Sequence, residues 1–170
     1  MDLRSAEDLE RFETAMANQR ADELLPLGEL DVQHYYSIHR HLFQDVYEWA
    51  GLPRTIRIEK GASVFCFPEN IEGQMRALFS DLQRTSYFRN STKEAFVSAL
   101  ATFLATLNAI HPFREGNGRT QLVFVSLIAH EADHPLDLDL LREVEFLTAM
   151  IASFNGHEEH LRQELTLMIE

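Results

Sequence analysis

The stretch His111-Pro112-Phe113-Arg114-Glu115-Gly116-Asn117-Gly118-Arg119-Thr120 decides how the chain is read. Upstream of it, Phe96, Val97, Leu100, Phe103, Leu104, Leu107 and Ile110 recur with helical spacing between Thr92 and Ile110. Downstream, Leu122 to Ala129 is strongly apolar. The decapeptide is therefore predicted as a loop between two buried helices, with Pro112 ending the first. Gly116 and Gly118 admit backbone conformations closed to other residues. Their N–H groups, at the start of the next helix, can converge on an anion. Arg119 adds a guanidinium fork suited to phosphate. Glu115 would repel a bare phosphate but would hold a Mg²⁺ that bridges phosphate oxygens. His111 titrates near neutrality and can take a proton from a hydroxyl. Base, metal-holding carboxylate and phosphate cradle are the parts of a nucleotidyl transfer.

Outward from this centre the pattern is mainly helical. Ser5 and Asp8 form a capping box for a helix from about 5 to 25, which Pro26 and Gly28 stop. Asp31 caps the next helix, with Tyr35, Ile38 and Leu42 facing inward; His34, His39 and His41 lie on it at a spacing that suits core or surface roles better than a metal site. Between Arg54 and Phe67 the period changes to alternation with Gly61 as a turn, so a β-hairpin is predicted. Pro68 opens another helix, residues 84–91 form a polar connection, and helices are predicted from about Asp137 to Phe154 and, after the Asn155-Gly156 turn, to Ile169. No linker, repeat or low-complexity tract interrupts residues 1–170, so one domain is expected, with its core at about 30–160.

The bulk composition narrows the partners. A net charge of −12, from 15 basic and 27 acidic residues, argues against nucleic acid or an acidic membrane surface as the main partner. The single cysteine, Cys66, excludes an internal disulfide and suits a reducing compartment. The charged amino terminus has no apolar signal core, and no apolar run is expected to reach membrane-spanning length. A cytoplasmic location follows as the expectation.

A second motif competes. His130-Glu131-Ala132-Asp133-His134 matches the zinc-protease pattern His-Glu-x-x-His. That chemistry needs both histidines on one helical face. Pro135 biases residue 134 away from helical geometry, so the pattern is expected to be accidental. The parts of the decapeptide taken singly are also ordinary: a histidine at a helix end, a solvated acid, a glycine turn. Their fixed order after an apolar helix is not. Arg114 is expected at the surface, and Phe113 as an anchor for the loop.

The decapeptide resembles the signature of Fic-domain proteins, His-Pro-Phe-x-Asp/Glu-Gly-Asn-Gly-Arg, at all nine positions. The resemblance extends through Ile38 to Gly51, Arg54-Thr55 and Lys60 to Phe65, and covers roughly residues 30 to 160. It implies an all-α Fic fold with one β-hairpin flap over the active-site loop. It implies transfer of AMP from ATP, with Mg²⁺, to a Ser, Thr or Tyr hydroxyl of a target protein. Carried over residue by residue, it makes His111 catalytic, Glu115 the metal carboxylate, Gly116, Asn117, Gly118 and Arg119 the nucleotide-binding set, and Ser63, Val64 and Phe65 the flap edge on which the target docks. Some compact members are toxins restrained by a small antitoxin that supplies an inhibitory glutamate in a Ser/Thr-x-x-x-Glu-Gly motif. Neither end of this chain carries that motif, so a separate antitoxin is one expected partner. Delivery into another cell's cytoplasm is a variant open to exported members.

One position departs from the resemblance. A second arginine is implied three residues after Arg119, where it would hold the distal phosphates and pair with an inhibitory glutamate; this chain has Leu122. The departure keeps two alternatives open: transfer of another phosphate-linked group, and a Fic-like module that holds a nucleotide or partner with little turnover.

Overall fold

Side-chain caps set where several helices begin. In the computed structural model, which describes residues 5–60 and 63–169, the Ser5 hydroxyl accepts the Asp8 N–H at 3.1 Å and opens α1 (Ala6–Ala21). Asp31 accepts the His34 N–H at 2.8 Å and opens α2 (Val32–Phe43). Pro68, which has no N–H to leave unpaired, starts α3 (Pro68–Arg84). Thr92 accepts from Ala95 at 3.3 Å at the head of α4 (Lys93–Ile110). Then follow α5 (Asn117–Glu131), α6 (Glu143–Phe154) and α7 (Glu159–Met168).

α4 is the axis of the bundle, with α3, α5, α6 and α7 all packed on it. At 18 residues it is long and apolar enough, by length and composition, to cross a membrane, contrary to the sequence expectation. Its surroundings explain that composition: a helix sheathed by neighbours must be apolar nearly all round. α2 packs on α1, α3 and α5. Phe96, Leu100 and Leu104 of α4, Phe124 and Ile128 of α5, and Tyr35, Ile38 and Leu42 of α2 form the buried centre of a cluster running from Ala17 to Ile169. Each large apolar side chain so buried contributes roughly 1.5–3 kcal/mol, against about 1 kcal/mol for a cap. The caps therefore place the helices and the core holds them. The end of the chain folds back: Asp137 N–H donates to the Met168 carbonyl at 2.7 Å, and Lys93 Nζ donates to the Ile169 carbonyl at 2.5 Å, seating α7 beside the head of α4.

Some boundaries differ from those expected. α1 stops at Ala21 rather than near Leu25, because the His41 ring takes the Arg20 carbonyl at 2.8 Å. Asp137 opens a 3-10 turn over Leu138–Leu140, and α6 starts only at Glu143. In the predicted hairpin region the paired strands are two residues each, β1 (Glu59–Lys60) against β2 (Ser63–Val64), antiparallel. Gly61 and Ala62 lie outside the described residues. The ladder is short because the flanking backbone is bound elsewhere: Arg54 N–H donates to the Pro112 carbonyl at 2.8 Å, and Cys66 N–H to the Ala109 carbonyl at 3.0 Å.

Candidate active site

The loop between α4 and α5 is closed by its own side chains. His111 ends α4 in the left-handed region, φ 49°, ψ 64°, with its N–H on the Leu107 carbonyl. Phe113 is fully buried and stacks on the His39 ring at 3.6 Å and on Tyr35 at 5.6 Å. The Asn117 amide then grips the Phe113 backbone from both sides: Oδ1 accepts its N–H at 3.0 Å and Nδ2 donates to its carbonyl at 2.9 Å. Asn117 is thus buried and turned inward. Its side chain shapes the loop, and only its backbone N–H belongs to the anion-facing turn.

The two glycines do different things. Gly116 has φ +78°, and a Cβ built there would sit 2.4 Å from Cε2 of Phe43. Gly118 lacks the positive φ expected from the sequence; a Cβ there would meet nothing within 4 Å. Gly116 is required by the fold, and Gly118 leaves open space over the first turn of α5. N–H groups in that turn have no intrahelical acceptor, and the positive end of the helix dipole lies there.

Groups distant in sequence fasten the loop. His39 is fully buried; its Nε2–H donates to the Glu115 carbonyl at 3.0 Å, and its Nδ1 accepts the Gly51 N–H at 2.8 Å. Accepting from Gly51 requires the neutral ring; burial lowers its pKa to about 4, against the bond to the Glu115 carbonyl, which raises it, with smaller effects from Arg119 (lowering) and Glu13 (raising). Arg54, 2% exposed, donates from Nε to the His111 carbonyl at 2.8 Å and from its two Nη atoms to the carbonyls of Ile56, Cys66 and Ile110. It ties the end of α4 to both sides of the strand segment.

The chemical groups sit around this frame. The carbonyl of Asn108 faces His111 Nδ1 at 3.3 Å, which makes Nδ1 the N–H of the neutral ring and puts the basic lone pair on Nε2. Phe65, buried, stacks on the His111 ring at 3.9 Å, while Val64 is half exposed. Phe65 therefore supports the imidazole rather than facing outward. The side chain of Ser63 lies outside the described residues. Glu115 holds an exposed carboxylate beside the α5 turn. Arg119 Nη2 donates to Glu13 of α1, and its guanidinium lies 4.7 Å over the Phe43 ring. Leu122, one turn on, is half-buried against the core. Beside Phe65, a cavity of about 430 Å³ is lined by Val64, Phe67, Asn70, Gln74 and Phe154, among others.

The competing zinc pattern comes apart. α5 ends at Glu131, Glu131 pairs with Arg89, and the His134 ring bonds the Ser91 carbonyl at 2.9 Å. Among the described residues no group of three or more His, Cys, Asp or Glu side chains gathers to hold a metal.

Residues 29–129 match the model of the Fic/DOC family. The chain is 50% identical over 163 residues to the probable protein adenylyltransferase y4lH of Sinorhizobium fredii, covering 95% of this chain and 85% of that one. The chain belongs to the Fic/DOC family. It is also 38% identical to the protein adenylyltransferase VbhT of Bartonella schoenbuchensis, over 89% of this chain and 32% of that longer one. In fold it is similar to the N-terminal FIC domain of Bep8 from Bartonella sp. 1-1C, with a TM-score of 0.89, 23% identity, and 99% and 88% of the two chains covered. BepC of Bartonella tribocorum, solved with AMPPNP, superposes with a TM-score of 0.88 at 20% identity over 98% and 88%.

Within this Fic/DOC chain, sequence reasoning missed His39, Arg54 and Glu13. A histidine on an amphipathic helix and an arginine before a predicted strand carry no local sign of what they bind. For Arg54, the one hint was its place in the stretch Arg54-Thr55 that shares the family resemblance.

The buried His39 gives a pH signature. An unfolded histidine titrates near 6.5 and the folded one near 4, so between those values the unfolded chain holds a proton that the folded chain does not. Stability from this residue is complete above pH 6.5 and is lost as pH falls toward 4, by about 3 kcal/mol. His39→Phe keeps the stack and removes the titration. Denaturant unfolding of the wild type from pH 7 to 4 should lose about 3 kcal/mol more than the variant does; parallel pH curves would exclude His39 as the source.

Proposed function

We propose that this chain is a protein adenylyltransferase, transferring AMP from ATP to a Ser, Thr or Tyr hydroxyl of a target protein. The observation that carries the reading is the juxtaposition, in one braced loop, of the His111 imidazole with the open first turn of α5 and Arg119. The named activities of the relatives y4lH and VbhT, and the AMPPNP bound to BepC, support it.

The chemistry follows from where the groups sit. The Asn108 carbonyl orients the His111 ring so that Nε2 takes the proton of the target hydroxyl. That oxygen forms a bond to the α-phosphorus as the bond to pyrophosphate breaks. The N–H groups of Gly118 and Arg119, with the Arg119 guanidinium, hold the phosphate oxygens as charge shifts to the leaving group. Little covalent work is asked of the protein; position and charge supply the rate. An exposed carboxylate beside a phosphate cradle fits Mg²⁺, which commonly binds through one or two carboxylates and substrate phosphates. Glu115 would hold it, and the ion would neutralise phosphate charge.

The flap reading is part of the proposal. The exposed outer edge of β2 at Val64 would pair with an extended target segment, gripping it through backbone bonds whatever its side chains, while Phe65 keeps His111 in place. We further propose that residues 1–170 act as one domain and work in the cytoplasm, their own or another cell's. Nucleic acid and membranes are not partners in this reading, because the net charge of −12 opposes both.

Leu122 favours a second reading. Leucine gives no cation for a γ-phosphate and none for the inhibitory glutamate of a separate antitoxin. The natural donor would then be another phosphate-linked group, or turnover would be low and binding the main role.

A labelled-ATP transfer assay with target lysate tests the first reading. His111→Ala should retain ATP binding and lose about 10²–10⁴-fold in rate. Glu115→Gln should move the Mg²⁺ titration to higher concentration. Val64→Pro, which cannot donate a strand bond, should weaken protein labelling more than ATP binding. Wild-type rates in His111→Ala would remove the base from the mechanism, an unmoved titration would remove Glu115, and equal losses in Val64→Pro would make the strand purely structural.

The second reading is separated by Leu122→Arg. A charged hydrogen bond contributes about 1.5–3 kcal/mol, so ATP-dependent transfer should rise ten-fold or more, with new sensitivity to a glutamate-bearing antitoxin. If the arginine changes nothing or harms while a diphosphate-linked donor works better than ATP, the second reading stands.

A further inference from the structure

We propose that Glu13 of α1 is a positioning residue for Arg119, so that the first helix is a working part of the phosphate site although it lies before the family-matched span of 29–129. The inference rests on the reading that Arg119 holds phosphate.

Glu13 is 7% exposed, a rare setting for a carboxylate, and both of its oxygens are used. One accepts from Arg119 Nη2 and the other from the Tyr47 hydroxyl. Tyr47 is itself fixed by stacking on Trp49 at 4.3 Å. The Arg119 guanidinium is thus held at one edge by a fixed acceptor and on one face by the Phe43 ring at 4.7 Å. Its Nη1 is buried and, among the described residues, has no hydrogen-bond partner. Arg119 directly follows the open turn at Gly118 in α5, and a buried donor without an acceptor is one that a phosphate oxygen bound at that turn would satisfy.

Two other roles fit less well. A mere fastening of α1 is unnecessary, because the helix is already held by the Arg20 pair with Asp45 at 2.6 and 2.9 Å and by the buried Ala17. A block is inconsistent with the geometry, because Glu13 leaves Nη1 unengaged and the Tyr47 bond keeps the carboxylate from swinging further. What remains is preorganisation: an arginine free to sample its rotamers must be immobilised on binding, and one already braced need not be.

The test is the affinity for Mg-free ATP and for pyrophosphate, by calorimetry, together with the melting temperature. Glu13→Ala should weaken both ligands about ten-fold. Glu13→Gln, which can still accept from Arg119, should stay within about two-fold of wild type. In an Arg119→Ala background, Glu13→Ala should cause no further loss. Tyr47→Phe removes only one donor to Glu13 and should weaken binding about three-fold, giving a readout should Glu13→Ala fail to fold. Unchanged or tighter binding in the foldable Glu13 and Tyr47 variants overturns the proposal. So does an equal loss with and without Arg119, the mark of a structural role, or a wild type that binds neither probe. A wild type that binds ATP but transfers nothing overturns the proposed function instead, and the Glu13 comparison still decides this inference.

Discussion

Arg54 is a buried cation that, among the described residues, has no carboxylate paired with it, and the site depends on how that charge is tolerated. Burying an unpaired charge is costly, yet here the compensation comes from carbonyl oxygens alone. Two of them, on Ile110 and His111, belong to the end of α4, where the helix dipole is negative. The arrangement solves two problems at once. The last carbonyls of a long apolar helix find donors without water, and the donor is anchored to the strand segment through Ile56 and Cys66. Break this link and the left-handed turn at His111 and the shelf under its ring lose their common support.

The site also shows how a strongly acidic chain can attract a polyphosphate. Net charge acts at long range and is screened within about 10 Å at ordinary salt. At close range the relevant charges are a helix N-terminus, one guanidinium and an open glycine turn. Glu13 and Glu115 stand near them, but in unlike settings: the first is sheltered and committed to Arg119 and Tyr47, the second exposed. Two carboxylates of identical chemistry can therefore serve different ends: one is internal, and the other, in the proposed mechanism, would face the ligand.

The sequence carried the helices and the loop well, because both are local. Period, caps and Pro112 are written within a few residues of the structure they cause. The three histidines of α2 each bond a backbone carbonyl, and α5 ends at Glu131, so His134 lies off the helix, as Pro135 implied. What was not legible is what crosses the chain. His39 to Glu115 spans 76 positions, Arg54 to His111 spans 57, and Glu13 to Arg119 spans 106. No periodicity encodes such pairs. Asn117 and Gly118 show a subtler limit: the motif names the residues, but whether an amide turns in to clamp backbone or out toward solvent depends on the packing around it, not on the motif itself. The hairpin is shorter than alternation suggested, because alternation cannot reveal that Arg54 gives its N–H to the Pro112 carbonyl of the loop and Cys66 its N–H to the Ala109 carbonyl at the end of α4.

Gly116 has a consequence for how this loop can change over generations. Two unrelated constraints hold it: a backbone angle that L-residues rarely adopt, and the Phe43 ring in the space a side chain would need. A smaller residue at 43 would relieve the second and leave the first, while removing the face on which Arg119 lies. No single compensating substitution makes another residue acceptable at 116. The position is an epistatic dead end, and variation in this region is channelled to positions outside that constraint.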